Sequence, residues 1–239
     1  MTLDPGSLHY DLDLLEEIEK ATMRLVVQAI YDFRDEAKEI FLQEQDLVAD
    51  IGEDLTREAL DRMGTSIIPV RLFGKIDYKR ARYVFHPGYS VRQALFVDSK
   101  AEKISGAGTA TIQTAQTSMI IRQVRGGQAI EEQGSIPTVA PVQGLELLTT
   151  TVFVKYNYRS VPGAKNQLVS VSIVCLPNGM LQDRYNATTE DAFWLAGRNA
   201  PSRGEAFRVR ISLPRLKAKA RWRVQGIYLT QTPPYSWDQ

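Results

Sequence analysis

Sulfur and imidazole are scarce in this chain: its 239 residues hold one cysteine, Cys175, and two histidines, His9 and His86. A lone thiol closes no internal disulfide, and its place in the apolar run Val171-Ser172-Ile173-Val174-Cys175-Leu176 reads as a buried core side chain rather than a nucleophile. So little histidine makes catalytic triads and zinc centres poor readings. Long apolar runs are missing as well, none approaching the ~18 residues that span a bilayer. The start of the chain lacks the basic cluster of a signal peptide and carries Asp4, Asp11, Asp13, Glu16, Glu17 and Glu19 instead, so the expected location is the cytoplasm. No internal repeat or linker is visible.

Acid is scarce after residue 61. Residues 1–61 carry 17 Asp and Glu against 5 Lys and Arg, net −12, and the other 178 residues carry 11 against 24, net +13. A basic surface of that size suits nucleic acid. Its densest part, 201–228, holds Arg203, Arg208, Arg210, Arg215, Lys217, Lys219, Arg221 and Arg223 against Glu205 alone. A solvated face is the competing reading. With 44% hydrophobic residues the chain can bury the core of one domain over 1–239. Leu14, Leu15, Ile18, Leu25, Val26, Ala29, Ile30, Phe33, Ala37, Ile40 and Phe41 recur at three-to-four spacing and predict a long amphipathic helix over 13–43, acidic on its outer side and facing away from any DNA. A second helix is expected over 55–63, a short strand near 67–73, and further strands over 149–158, 168–176, 206–213 and 223–229, with a basic helix near 214–220. The Gly-, Thr-, Gln- and Ser-rich stretch 101–148 gives a helix signal near 109–119 and weak strand signals near 119–124. The sum is a mixed α/β or α+β fold.

The stretch GKIDYKRARYVFHPGYSVRQALFVDSKAEK, 74–103, reads as a hairpin that turns at Pro87-Gly88, where proline presets φ and glycine accepts a positive value. Strands folded about that pivot without a bulge set Asp77 opposite Asp98, and side-chain alternation puts Lys100 on the same face as Asp98. Opposed carboxylates repel. A divalent cation reverses the penalty: Mg²⁺ takes oxygen ligands, is held by one or two carboxylates together with substrate phosphate, and acidifies a bound water for attack on phosphorus. Lys100 would then orient that water or stabilise charge on the phosphate. An exposed, charged hairpin end is the ordinary explanation for such a string. Glu102 and Lys103 read as solvated. Glu53 is a candidate to approach the metal from the second helix, against the stronger reading of a charge placed at a helix start by the dipole. Arg208 and Arg210 share one face of an expected strand, where arginine suits guanine O6 and N7, with phosphate contact or a basic solvent face as the alternative. Lys217 and Lys219 read as phosphate contacts. Arg122, Arg125, Gly126 and Gly127 could track a backbone but read better as an ordinary loop, and Trp194 and Trp222 read as core or interface residues.

Asp77 with Asp98-Ser99-Lys100 resembles the PD-(D/E)xK nuclease core, and the wider sequence resembles the SfiI-like type II restriction endonucleases. The segments that carry this likeness are EKATMR (19–24) through EAKEIF (36–41), IDYKR (76–80), LFVDSKA (95–101), RYN (184–186), PSRGE (201–205) and RLK (215–217). Ile76 stands where the generic motif has proline, and 104–134 has no clear counterpart, which bears on specificity. The resemblance implies a restriction-endonuclease-like core, a mixed sheet flanked by helices. It also implies a Mg²⁺-dependent enzyme that cuts both DNA strands at an interrupted, GC-rich palindrome, leaves 3′ overhangs and works as a homotetramer bridging two sites. Related enzymes that cut such sites read bases from a comparable late strand. A DNA-binding protein of the same fold that does not cleave, and a repair or structure-specific nuclease, are the alternatives.

Overall fold

The computed structural model describes residues 2–44, 48–64, 66–67, 81–106, 108–163, 165–196 and 207–239. After a 3-10 turn, Asp11 caps α1 (Leu12–Asp32) by accepting from the Leu14 nitrogen at 3.0 Å. The predicted helix over 13–43 is two segments, because Phe33, with φ −92° and ψ 3°, separates α1 from α2 (Arg34–Gln43). Hydrogen bonding almost runs through, from Phe33 to Ala29 at 3.2 Å and from Ala37 to Phe33 at 3.0 Å. Helix α3 (Val48–Arg62) begins well before the expected 55–63 and includes Gly52. A helix-interior glycine costs about 1 kcal/mol against alanine, and its place has a packing reason. A Cβ there would lie 3.1 Å from the Lys100 carbonyl carbon and the Ala101 nitrogen, so α3 rests directly on a strand backbone.

The strands are β1 (Ser66–Ile67), β2 (Arg82–His86), β3 (Val91–Lys103), β4 (Thr109–Gln113), β5 (Ile120–Arg125), β6 (Gln128–Gln133), β7 (Val139–Val142), β8 (Leu145–Val161) and β9 (Lys165–Leu176). The short helix α4 (Gln182–Tyr185), β10 (Trp194–Ala196), β11 (Arg208–Ser212), α5 (Leu213–Lys219) and β12 (Val224–Tyr228) complete the order. One sheet runs β1-β2-β3-β8-β9-β12, with β7 beside the start of β8, and a second runs β10-β11-β4. Among the described strands pairing is antiparallel except between β3 and β8, which run parallel from Gln93 beside Leu148 to Lys103 beside Tyr158. The sheet is therefore mixed and flanked by helices. The expected strand near 67–73 falls almost wholly outside the described residues.

The expected helix near 109–119 is β4 followed by a 3-10 turn, Thr114–Gln116. The local pattern explains the difference, since Ala110 and Ile112 are buried between half-buried Thr109 and Thr111, a period of two on β-branched residues. Two large cores lie on opposite faces of the large sheet, beside a smaller cluster of Ala81, Ala94, Phe96, Ile136 and Leu147. Val152 and Val154 point into one with α1, α2 and α3, while Phe153 points into the other with Ile112, Val209, Ile211 and Trp194 of the small sheet. Helix α1 serves both, through Met23, Val26 and Ile30 on one side and Leu15 and Ile18 on the other. Cys175 is fully buried, and burial pushes its thiol up. Trp194 and Trp222 are core residues. Among the described residues no helix is long and apolar enough to cross a membrane.

Candidate active site

The hairpin forms, in a different register from the one expected. Its pairs run from Arg82 with Leu95 to His86 with Val91, so paired numbers sum to 177 rather than 175. The pivot is a four-residue loop, 87–90, in which Tyr89 donates to His86 O and Ser90 to Pro87 O, both at 3.2 Å. Ser90, not Gly88, takes the positive φ, 52°. The register behind the Asp77–Asp98 pairing is thus not followed in the described part of the hairpin, and Asp77 itself lies outside the described residues.

Asp98 and Lys100 do share a face of β3. Asp98 sits beside Phe153 of β8 and Lys100 beside Lys155. Asp98 is 7% exposed, and Gln116 Nε2 donates to its Oδ2. Lys100 Nζ donates to the Thr111 carbonyl at 3.1 Å. Lys155 is fully buried, donates to the Thr109 carbonyl at 2.6 Å and pairs with Glu102 Oε2 at 2.7 Å. Three side chains from the large sheet and the adjoining turn therefore meet along β4. Glu102 is not merely solvated, as the sequence suggested, because it supplies the counter-charge of a buried ammonium. Lys103 is exposed. Glu53 lies in the second turn of α3, exposed, rather than at a helix start. Its helix covers the face of β3 opposite Asp98, the face of Val97 and Ala101.

A buried carboxylate beside an ammonium, with no histidine or thiolate near, is a donor set for a hard, oxygen-preferring cation. Among the described residues no group of three metal-ligating side chains occurs. Mg²⁺ is one such cation, commonly held by one or two carboxylates together with substrate phosphate. The residues present fit it.

Arg208 and Arg210 lie on the central strand of the small sheet, half-buried on the face opposite buried Val209 and Ile211. Arg208 stands opposite Gln113, and Arg210 opposite Thr111 on one side and Leu195 on the other. Their strand is thus the direct neighbour of β4. Lys217 and Lys219 are each ion-paired, with Asp238 at 2.7 Å and Asp191 at 2.6 Å. Gly126 and Gly127, with φ 58° and 80°, make the two-residue turn between β5 and β6 that such positive angles favour. Arg122 is tied to Glu131 at 3.1 Å and Arg125 to the Arg208 carbonyl at 3.0 Å. Sequence reasoning missed Gln116 and Lys155. A lone lysine in the run Thr151-Val152-Phe153-Val154-Lys155-Tyr156 was a signal for the second; Gln116 gave none.

Residues 31–227 match the family described as Type II restriction enzyme SfiI. The Type II restriction enzyme SfiI of Streptomyces fimbriatus is 34% identical, over 94% of this chain and 88% of its own length. Among solved structures, tetrameric restriction endonuclease SfiI bound to cognate DNA matches with a TM-score of 0.83 and 33% identity, covering 100% of this chain and 92% of that one. The restriction endonuclease BglI bound to its DNA recognition sequence matches with a TM-score of 0.75 over 95% of each chain, a likeness of fold alone at 16% identity.

Proposed function

The chain belongs to the SfiI family of type II restriction enzymes, and on that premise we propose that it is a cytoplasmic, Mg²⁺-dependent enzyme, one domain over 1–239, that cuts double-stranded DNA at an interrupted, GC-rich palindrome and leaves 3′ overhangs. The observation that carries the reading is the pairing of buried Asp98 with Lys100 on one face of β3, against the strand that adjoins Arg208 and Arg210. Asp98, together with Asp77, holds the cation. That cation, when bound, offsets the carboxylate charge and acidifies water for attack on phosphorus. Lys100 presents positive charge to the phosphate; an ammonium has three donors, and the Thr111 carbonyl takes one. Arg208 and Arg210 read bases, and Lys217 and Lys219 contact phosphates. The assembly is a homotetramer that bridges two sites, as the solved tetrameric relative suggests.

The test is plasmid incubated with Mg²⁺. Discrete fragments are expected from the wild type. Asp77→Ala, Asp98→Ala and Lys100→Ala abolish cleavage while largely sparing the fold, and Ca²⁺, which accepts looser oxygen geometry, supports specific binding by the wild type without turnover. Smearing would point to a nuclease without site specificity, and binding without cleavage by the wild type to a DNA-binding protein of the same fold. Near-wild-type cutting by any one of the three variants would remove that residue from the site.

A further inference from the structure

Asp98 is a buried carboxylate, and such a group needs hydrogen-bond partners. Gln116 is one of them, itself only 4% exposed. The way its amide points follows from chemistry. Gln116 Oε1 accepts from the Gln113 backbone nitrogen at 2.6 Å, and a backbone N–H can only donate, so the amide oxygen faces Gln113 and the NH₂ faces Asp98. The Gln113 side chain in turn accepts from the Gln116 backbone, a reciprocal capping box at the end of β4. Gln113 is the residue that stands opposite Arg208 in the small sheet. The carboxylate is therefore tied, through one side chain, to the end of the strand that adjoins the arginines.

We propose that Gln116 is a positioning residue for cleavage: it fixes the Asp98 carboxylate to the end of β4 and makes its orientation depend on the strand beside Arg208. Correct seating of Arg208 on bases then steadies Gln113, Gln116 and Asp98 in sequence, which links recognition to scission. The proposal rests on the nuclease reading above. Hydrogen-bonded partners of metal-ligating carboxylates contribute roughly 10–100-fold to metal affinity or activity, and Gln116 belongs in that range.

Gln116→Met keeps the side-chain length and removes the amide; Gln116→Ala, which leaves the backbone bonds of the turn intact, serves if the methionine variant is poorly folded. The probes are a duplex carrying the site mapped from the wild-type digest and a duplex of scrambled sequence. The Ca²⁺ concentration that half-saturates specific binding should rise about 10-fold or more, and single-turnover cleavage at saturating Mg²⁺ should fall, while metal-free binding to the scrambled duplex stays at the wild-type level. The effects of Gln116→Met and Arg208→Ala on the single-turnover rate should also combine non-multiplicatively, by about 2-fold or more, whereas Lys217→Ala should combine multiplicatively. An unchanged Ca²⁺ midpoint in a folded variant overturns the proposal, as does an equal loss on the scrambled duplex. Simple multiplication with Arg208→Ala removes the link to recognition. Cleavage by Asp98→Ala at the wild-type rate would instead sink the active-site reading, a separate outcome.

Discussion

Arg223 is fully buried and meets Glu19, also fully buried, at 2.7 Å and Glu16 at 3.3 Å, with the Tyr185 and Trp222 rings 4.3 and 4.2 Å from its guanidinium. Removing one partner from such a pair leaves a stranded charge, so Arg223→Met should destabilise by about 3–5 kcal/mol in urea unfolding, and Glu19→Leu combined with it should recover part of the loss. On DNA, Arg208→Ala or Arg210→Ala should cost about 1–3 kcal/mol at the cognate site and much less on scrambled DNA, as read by titration of each duplex. Lys217→Ala and Lys219→Ala should weaken both duplexes alike and flatten the salt dependence. Equal losses on both duplexes would reassign the arginines to phosphate contact. The shared face of Asp98 and Lys100, and that of Arg208 and Arg210, were legible because a strand alternates its faces every residue, and that rule needs no distant information. Gln116 was not legible. Its role depends on which turn folds back over β3, a tertiary fact that no local pattern encodes.

At the scale of elements, periodicity located α1, α2, β8, β9, β11, α5 and β12, and failed where two signals competed. In 109–113 polar threonines concealed the alternation of a strand, and in 48–54 Gly52 hid the first turns of α3, although that glycine is there to let the helix approach β3. The hairpin was recognised and its register missed, because a proline-glycine pair marks a turn without fixing the loop length. The strand end before the turn carries a pH-sensitive residue. His86 Nε2 lies 3.2 Å from Thr22 Oγ1 and its ring 6.0 Å from that of Tyr89, and partial burial holds its pKa below the ordinary 6.5. A depressed folded value means that the unfolded chain takes up the proton first. The His86 contribution to stability is thus complete above 6.5 and is lost as pH falls through the folded value. Thermal midpoints measured from about pH 7.5 down to about pH 5.5 should fall less steeply for His86→Gln than for the wild type. Parallel slopes would show that other groups set the dependence.

At the scale of the molecule, the acidic N-terminal quarter is not a spare surface. α1 is shared by both cores, its Glu16 and Glu19 hold Arg223, and Arg184 pairs with Asp13 at 2.7 Å, which leaves an exposed stripe at Glu17, Arg24, Gln28 and Asp32. A tetramer with two DNA clefts gains when both sites lie on one molecule, because tethering makes the second capture intramolecular. Plasmid with two sites should then be cut faster than plasmid with one, with little singly cut product, and an added duplex carrying the site should speed the one-site reaction. Light scattering that reports a dimer, together with equal rates on the two plasmids, would end the quaternary proposal and leave the catalytic one standing. The parallel pairing of β3 with β8 has its own bearing on how such an enzyme is made. The strand of Asp98 and Lys100 gains that neighbour only after residues 104–144 and all of β8 have been synthesised, and β11 follows later still. Pairing across so long a connection is slow. On the proposed assignments, a nascent chain still on the ribosome thus carries Asp98 and Lys100 on an unfinished sheet before Arg208 and Arg210 have been made, and it becomes competent to seat and cut DNA only when the later strands have left the tunnel.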